Sequence, residues 1–175
     1  HDLGIPTIMG NYDDGIGFER GDCGCAYKTD EDRRIGELSV AWTAQNTTVE
    51  SKTFLRILLP EIRFEADGKR VLLVHGSPRK LNEYLFEDRD IRSFQRLATS
   101  SDADVIVFGH THIPYVKDVD GVRFVNAGSV GKPKDGDPRA CYAILTIDGR
   151  HMHVEFRRVS YDITTVMADI RQSEL

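Results

Sequence analysis

The chain has 175 residues, of which 40% are hydrophobic and 29% charged, and its formal net charge is −5. This size and composition suit one globular domain, and they exclude collagen-like and extensively disordered proteins. The acidic balance, without any Lys/Arg-rich block, argues against duplex nucleic acid as a partner. No apolar run approaches the roughly 20 residues of a membrane-spanning helix, so we expect no membrane partner and a cytoplasmic protein.

The N-terminal third predicts little regular structure. Residues 5–9 predict a short β-branched strand, and because a domain rarely begins inside its core, we expect missing sequence upstream of His1. Residues 10–36 are rich in Gly and charge and predict a long loop with one helical turn near Glu31 to Ile35. Within a single domain spanning residues 1–175, we interpret residues 14–69 as a loop and helical insertion.

The middle of the chain predicts an α/β pattern. The spacing of Thr47 and Glu50 is typical of a capping box and predicts a helix over 48–59. Near-continuous apolar runs at 70–74 and 105–108 predict strands buried on both faces, with a helix over 88–98 between them.

The C-terminal part predicts two hairpins and a helix. Asp120-Gly121 and Asp148-Gly149 are the residue pairs preferred in two-residue hairpin turns, and each lies between alternating strands. A last amphipathic helix is expected after Asp162. Its predicted inward positions are Ile163, Val166, Met167 and Ile170.

The three cysteines, Cys23, Cys25 and Cys141, are an odd number in a chain large enough to fold without disulfides. Two neighbouring thiols cannot close a structural zinc site by themselves. We therefore expect small, reduced, buried or half-buried thiols.

Three apolar strands each end in a polar tip, at Asn11, at His75, and at His110 with His112. Ligands collect outside the carboxyl ends of strands in α/β sheets, so we expect the three tips to converge on one crevice. Taken singly, Asn11 fits a turn residue and His75 fits a hydrogen-bonded structural histidine. Gly109 permits a turn that lets both following histidines face the crevice.

Together these tips resemble the calcineurin-like metallophosphoesterases, and specifically their small prokaryotic phosphodiesterase-like subgroup. The motifs that carry the resemblance are Gly10-Asn11-Tyr12-Asp13, Val74-His75-Gly76, Gly109-His110-Thr111-His112 and Asn126-Ala127-Gly128-Ser129. The last motif is similar to the Asn-Pro-Gly-Ser block of that subgroup. The order and spacing of the motifs match the family over most of the chain.

The resemblance implies an α/β (α+β) fold, a two-sheet β-sandwich flanked by helices, with its N-terminal part missing. It also implies two divalent metal ions, one bound by Asn11, His75 and His110 and the other by His112. We expect Mn²⁺, with Ni²⁺, Fe²⁺, Zn²⁺ or Mg²⁺ as alternatives. In the family, a hydroxide that bridges the metals attacks a phosphate ester, and Asn11, Tyr12 and His75 match residues of that catalytic centre.

Two departures from the family pattern matter. The early Asp-x-His and Gly-Asp blocks do not precede Asn11, so the metal site of the chain as given is expected to be incomplete. The hypothesis of a dinuclear metal-dependent enzyme therefore concerns the parent protein, and the activity of the chain as given stays an open question. Tyr12 stands where many relatives have a histidine, and a phenol with a pKa near 10 is the weaker acid. Substrates with acidic leaving groups should therefore be favoured.

Two further candidates for binding substrate phosphate are Arg79 and Ser129, although a solvent-exposed Arg and a hairpin loop explain them equally well. The leading hypothesis is a phosphodiesterase or phosphomonoesterase acting on a small phosphate ester. The alternative is a non-catalytic binding or scaffold module. A mononuclear zinc hydrolase is disfavoured because the chain has no His-x-x-x-His motif. Exposed sheet edges would favour a homo-oligomer.

Overall fold

The computed structural model describes residues 3–149 and 151–173. It is a mixed α/β structure, and the chain divides into two compact units, Pro60–Ser160 and His1–Leu59 with Tyr161–Leu175. No helix in the described ranges is long and apolar enough to cross a membrane.

Three helices form most of the unit that contains the N-terminal residues: α1 (Asn11–Gly17), α2 (Asp30–Asn46) and α3 (Val49–Arg56). The predicted loop over 10–36 is therefore wrong, because α1 lies inside it and α2 begins there. The glycines of α1 permit close packing rather than disorder. A Cβ on Gly15 would lie 2.7 Å from the carbonyl oxygen of Asp22, and one on Gly17 would lie 3.0 Å from Leu55 Cβ.

Capping explains where these helices begin. The Asp13 carboxylate accepts the backbone N–H of Gly10 (2.7 Å), and the Thr29 hydroxyl accepts that of Asp32 (3.0 Å). The predicted third helix is confirmed, but its cap is Thr48, one residue later than expected. The strand predicted over 5–9 is wrong, since Ile8 makes only an isolated bridge to Leu59.

A five-stranded mixed sheet is the centre of the unit spanning Pro60–Ser160. Its strands are β1 (Glu61–Ala66), β2 (Lys69–Val74), β3 (Val105–Phe108), β4 (Tyr115–Val119) and β5 (Val122–Asn126), in the spatial order β1-β2-β3-β5-β4. The three inner strands are parallel to one another, whereas both outer pairs are antiparallel. The buried strands predicted at 70–74 and 105–108 are confirmed, and β1 has no counterpart among the predictions.

The sheet is covered on both faces, as its apolar inner strands require. Helix α4 (Ile91–Ser100) packs Phe94 and Leu97 on one face, against Leu72, Ile106 and Phe124. A two-stranded sheet of β6 (Ala140–Asp148) and β7 (His151–Val159) packs on the other face. The residues at that second interface include Val71, Val105, Val125, Leu145, Val154 and Phe156. This arrangement is the predicted two-sheet sandwich.

The hairpin predicted at Asp120-Gly121 is confirmed between β4 and β5. Asp120 has a φ of 49° and Gly121 a φ of 80°, the positive angles that a two-residue hairpin turn requires. The predicted C-terminal helix is present as α5 (Ile163–Gln172). Its predicted inward face is wrong at three of four positions. Val166, Met167 and Ile170 are 42%, 46% and 49% exposed, and only Ile163 is half-buried.

Candidate metal site

The structure brings His75 and His110 together at the ends of the parallel neighbours β2 and β3. Nε2 of His75 lies 3.1 Å from Nδ1 of His110, and the ring centroids are 4.9 Å apart. The two tips are joined by a backbone hydrogen bond from Gly109 N–H to the carbonyl oxygen of His75 (2.9 Å). Parallel pairing in register therefore places the two imidazoles side by side.

The spacing and protonation of this pair fit one divalent cation. Two imidazole nitrogens each about 2.1 Å from one ion, at an angle between right-angled and tetrahedral, lie about 3.0 to 3.4 Å apart. Burial lowers the pKa of His75 to about 4, with the charges of His110 and His112 acting in the same direction. Burial also lowers the pKa of His110 to about 4, opposed by the backbone of Asn82. Both imidazoles are thus neutral at neutral pH, the state in which they bind metal.

The other ring nitrogen of His110 also indicates a polar site. Its Nε2 is buried and makes no hydrogen bond of good geometry within the described residues. The Tyr84 ring lies over the imidazole, with centroids 4.1 Å apart. Tyr84 is a site residue that the sequence analysis missed, since it lies in an irregular segment after β2 that shows no periodic pattern.

The loop that carries both later histidines has an unusual backbone. His110 and His112 each have a φ of 63°, in the left-handed region that non-glycine residues seldom occupy. Between them, Thr111 is almost fully buried. Such conformations cost about 1–3 kcal/mol each and persist only where surrounding contacts hold them. The left-handed backbone at each histidine turns the chain. The side chains of His110 and His112 therefore do not point as they would in a continuing strand.

Asn126 supplies the contacts that hold this loop. Its side-chain amide donates to the carbonyl oxygen of Gly109 and to the hydroxyl of Thr111, both at 2.9 Å. Its side-chain oxygen accepts the backbone N–H of Gly128 at 3.0 Å. Because Asn126 is completely buried, these three hydrogen bonds replace water entirely. Asn126 is therefore a positioning residue for the histidine loop.

His112 is half-buried and oriented by the following loop. Its Nδ1–H donates to the carbonyl oxygen of Lys132 (2.7 Å), which fixes the neutral tautomer with a lone pair on Nε2. Burial lowers the pKa of His112, against the effect of this hydrogen bond, while the charge of Lys134 adds to the lowering. The Lys134 N–H also donates to the His112 carbonyl oxygen (3.1 Å). Two lysines therefore lie beside a neutral, metal-competent imidazole.

Asn11 and Tyr12 lie in the other unit, in the first turn of α1. Asn11 is buried, and its side-chain amide donates to the carbonyl oxygen of Cys23 (2.8 Å) and to Sγ of Cys25 (3.2 Å). Tyr12 is half-buried in a small apolar cluster, where burial raises its pKa, against a hydrogen bond with Ser39. The convergence of Asn11 with the histidines stays a prediction.

Comparison with known proteins shows the family of the chain. Residues 3–150 match the calcineurin-like phosphoesterase superfamily domain. The chain belongs to that superfamily. It is 30% identical over 194 residues to an uncharacterised protein of Methanocaldococcus jannaschii, covering 99% of this chain and 72% of that protein.

Two solved structures share the calcineurin-like fold of the chain. A metallophosphoesterase from Sphaerobacter thermophilus superimposes with a TM-score of 0.68 at 27% identity, covering 96% of this chain and 71% of that one. A hypothetical protein from Pyrococcus horikoshii gives a TM-score of 0.80 at 19% identity, covering 98% and 69%. The superfamily supports a phosphoesterase-type function, and its members generally bind divalent metals.

The two predicted phosphate-binding residues have other partners in this calcineurin-like domain. The Arg79 guanidinium forms a two-pronged ion pair with Glu83, with Nε 2.7 Å from Oε2, and the Ser77 hydroxyl donates to the same carboxylate (2.5 Å). The Ser129 hydroxyl accepts the backbone N–H of Lys132 (3.0 Å). A substrate phosphate would therefore compete with Glu83 for Arg79, and the binding roles of both residues stay predictions.

The histidines of the described part of the chain do not belong to a three-residue group of the usual metal-binding side chains. Among residues 3–149 and 151–173, no group of three or more His, Cys, Asp or Glu side chains is arranged to hold a metal ion. Asn11 is outside these residue types, so its predicted contribution is not counted in such a group. His75 and His110 are the pair whose spacing and protonation suit a metal, and His112 has the matching tautomer.

Proposed function

We propose that the chain is a divalent-metal-dependent phosphoesterase that hydrolyses small phosphate esters, with diesters preferred over monoesters. The single observation that carries this proposal is the 3.1 Å separation of His75 Nε2 and His110 Nδ1 at the ends of adjacent parallel strands. Asn11 would complete the set around one ion and His112 would belong to a second. Mn²⁺ is the metal that we propose first.

In this proposal the histidines of the chain would hold the metal ions, and nearby lysines would attract the anionic substrate. When bound, divalent cations neutralise charge on phosphoryl oxygens and lower the pKa of water at the site. His75 and His110 remain neutral at neutral pH because of their burial, so protons do not compete for their lone pairs. Lys132 and Lys134, beside His112, add positive charge that would favour an anionic ester.

The acidity of Tyr12 bears on which leaving groups the proposed enzyme would accept. Burial raises the pKa of its phenol, so it releases a proton even less readily than an ordinary tyrosine. We propose that the chain favours esters whose leaving groups depart without protonation, such as nitrophenolate, over alkyl esters.

The test is hydrolysis of bis-nitrophenyl phosphate by the full chain after chelator treatment, with Mn²⁺, Ni²⁺, Zn²⁺, Fe²⁺ or Mg²⁺ then added singly. We expect activity to appear with metal, to disappear with renewed chelation and to exceed activity on nitrophenyl phosphate. An unchanged rate on adding each metal would refute a metal-dependent esterase.

A second candidate function is a binding or scaffold module without catalysis. It is favoured by the absence of a three-ligand His, Cys, Asp or Glu group within the described residues. The same assay separates the two functions if metal binding is measured in parallel by calorimetry. Metal binding without hydrolysis of mono- or diesters would support the module.

A further inference from the structure

Two cysteines separated by one glycine lie in contact in the unit that contains α1. The Sγ atoms of Cys23 and Cys25 are 3.0 Å apart, and both thiols are free. Cys23 is buried and Cys25 is half-buried, so one of the two is open to an oxidant. The function proposed above uses neither thiol.

The backbone between the two cysteines is already turned. Gly24 has a φ of 63°, and its N–H donates to the Asp22 side chain at 2.9 Å. A fully extended chain would separate Cα atoms two residues apart by about 6.6 to 7.2 Å, near or beyond the upper limit of about 6.8 Å for a disulfide. The left-handed turn at Gly24 shortens that span, which favours ring closure.

The sulfur separation favours a disulfide over a metal ion. Two thiolates each about 2.3 Å from a tetrahedral zinc lie about 3.8 Å apart, well beyond the observed 3.0 Å. No third His, Cys, Asp or Glu joins the two thiols in a metal-binding group within the described ranges. Direct bonding between the two sulfurs is the chemistry that the contact suits.

The pair also forms part of the support for Asn11. The Asn11 amide donates to the carbonyl oxygen of Cys23 (2.8 Å) and to Sγ of Cys25 (3.2 Å), in a buried position. A sulfur–sulfur bond is about 2.05 Å long, so its formation would draw the two sulfurs roughly 1 Å closer. It would also remove both thiol protons. The acceptor that Asn11 faces would change in position and in chemistry.

We propose that Cys23 and Cys25 form a reversible disulfide whose formation reorients the Asn11 carboxamide. The oxidant is a small disulfide of the glutathione class. The Cys25 thiolate attacks it and releases one glutathione thiol, and the Cys23 thiolate then attacks Cys25 Sγ and expels the second. Two electrons pass from the cysteines to one glutathione disulfide, and the two protons leave on the two glutathione thiols.

The effect on metal binding rests on the proposed function, in which Asn11 is a ligand. On that basis the disulfide form should bind Mn²⁺ roughly 10-fold more weakly, the loss typical of disturbed support for a ligand.

The test uses the full chain with Cys141→Ala, equilibrated in glutathione buffers of increasing oxidation, quenched in acid and alkylated. Mass spectrometry of peptides reports the disulfide, and the side-chain amide resonance of Asn11, assigned with Asn11→Asp, reports its surroundings without metal. We expect complete, dithiothreitol-reversible Cys23–Cys25 bonding and a shifted Asn11 resonance. In the control Cys25→Ser, glutathione should leave that resonance unchanged.

Failure of the Cys23–Cys25 bond to form at any glutathione ratio would overturn the proposal. A disulfide that leaves the Asn11 resonance unmoved would overturn it equally. Mn²⁺ affinity is measured last by calorimetry on the reduced and oxidised chain. If Mn²⁺ binds neither form while the Asn11 resonance still shifts, the switch stands and the proposed metal function fails.

Discussion

His75→Ala is expected to lower the Mn²⁺-dependent hydrolysis of bis-nitrophenyl phosphate by at least about 100-fold. The substitution removes Nε2, the atom that lies 3.1 Å from His110 Nδ1. One of the two paired imidazoles is then lost, and the ion keeps only His110 and the proposed ligand Asn11. The measurement is the initial rate at saturating Mn²⁺, with unfolding by urea recorded for both proteins.

The matched control is His151→Ala, because His151 lies in β7 and is exposed. Its rate should equal that of the unmodified chain. Retention of activity within about twofold by His75→Ala, in a folded protein, would remove His75 from the site.

Asn126→Ala is expected to destabilise the chain by about 3 kcal/mol or more. It removes three hydrogen bonds of a completely buried side chain, to the carbonyl oxygen of Gly109, the hydroxyl of Thr111 and the N–H of Gly128. The left-handed backbone at His110 and His112 also loses its support. The measurement is the free energy of unfolding by urea.

Two variants control this prediction. Asn126→Asp keeps the volume and the acceptor for Gly128 but loses the two amide donations, so it should also be destabilised. Asn46→Ala removes a single exposed hydrogen bond to Trp42 and should change stability by about 0.5 kcal/mol or less. Equal stability of Asn126→Ala and Asn46→Ala would show that the loop is held by other contacts.

The elements that sequence predicts well are those with a strong local cause. The apolar runs at 70–74 and 105–108 could only be satisfied by strands covered on both faces, and β2 and β3 are such strands. Asp120-Gly121 adopts the positive φ angles that its turn requires. Two strand ends then place His75 and His110 next to each other, as the strand-tip argument expects.

The failures arise where tertiary packing overrides composition. The glycines of residues 10–36 suggest a loop, yet Gly15 and Gly17 lie in the helix α1. These two positions are glycine because neighbouring backbone and side chains approach too closely for a Cβ. The role of Asn126 depends on hydrogen bonds to residues 15 and 17 positions away, which no local pattern encodes. The exposed face of α5 shows the converse error, since periodicity alone does not show what covers a helix.

The central claim is that His75 and His110 bind one divalent ion together. A titration of the ¹⁵N-labelled chain with Zn²⁺, followed through the imidazole nitrogens, tests this claim most directly. We predict that Nε2 of His75 and Nδ1 of His110 shift with a common midpoint, and that His110→Ala abolishes the shift at His75. Separate midpoints, or a His75 shift that survives His110→Ala, would contradict a shared metal site.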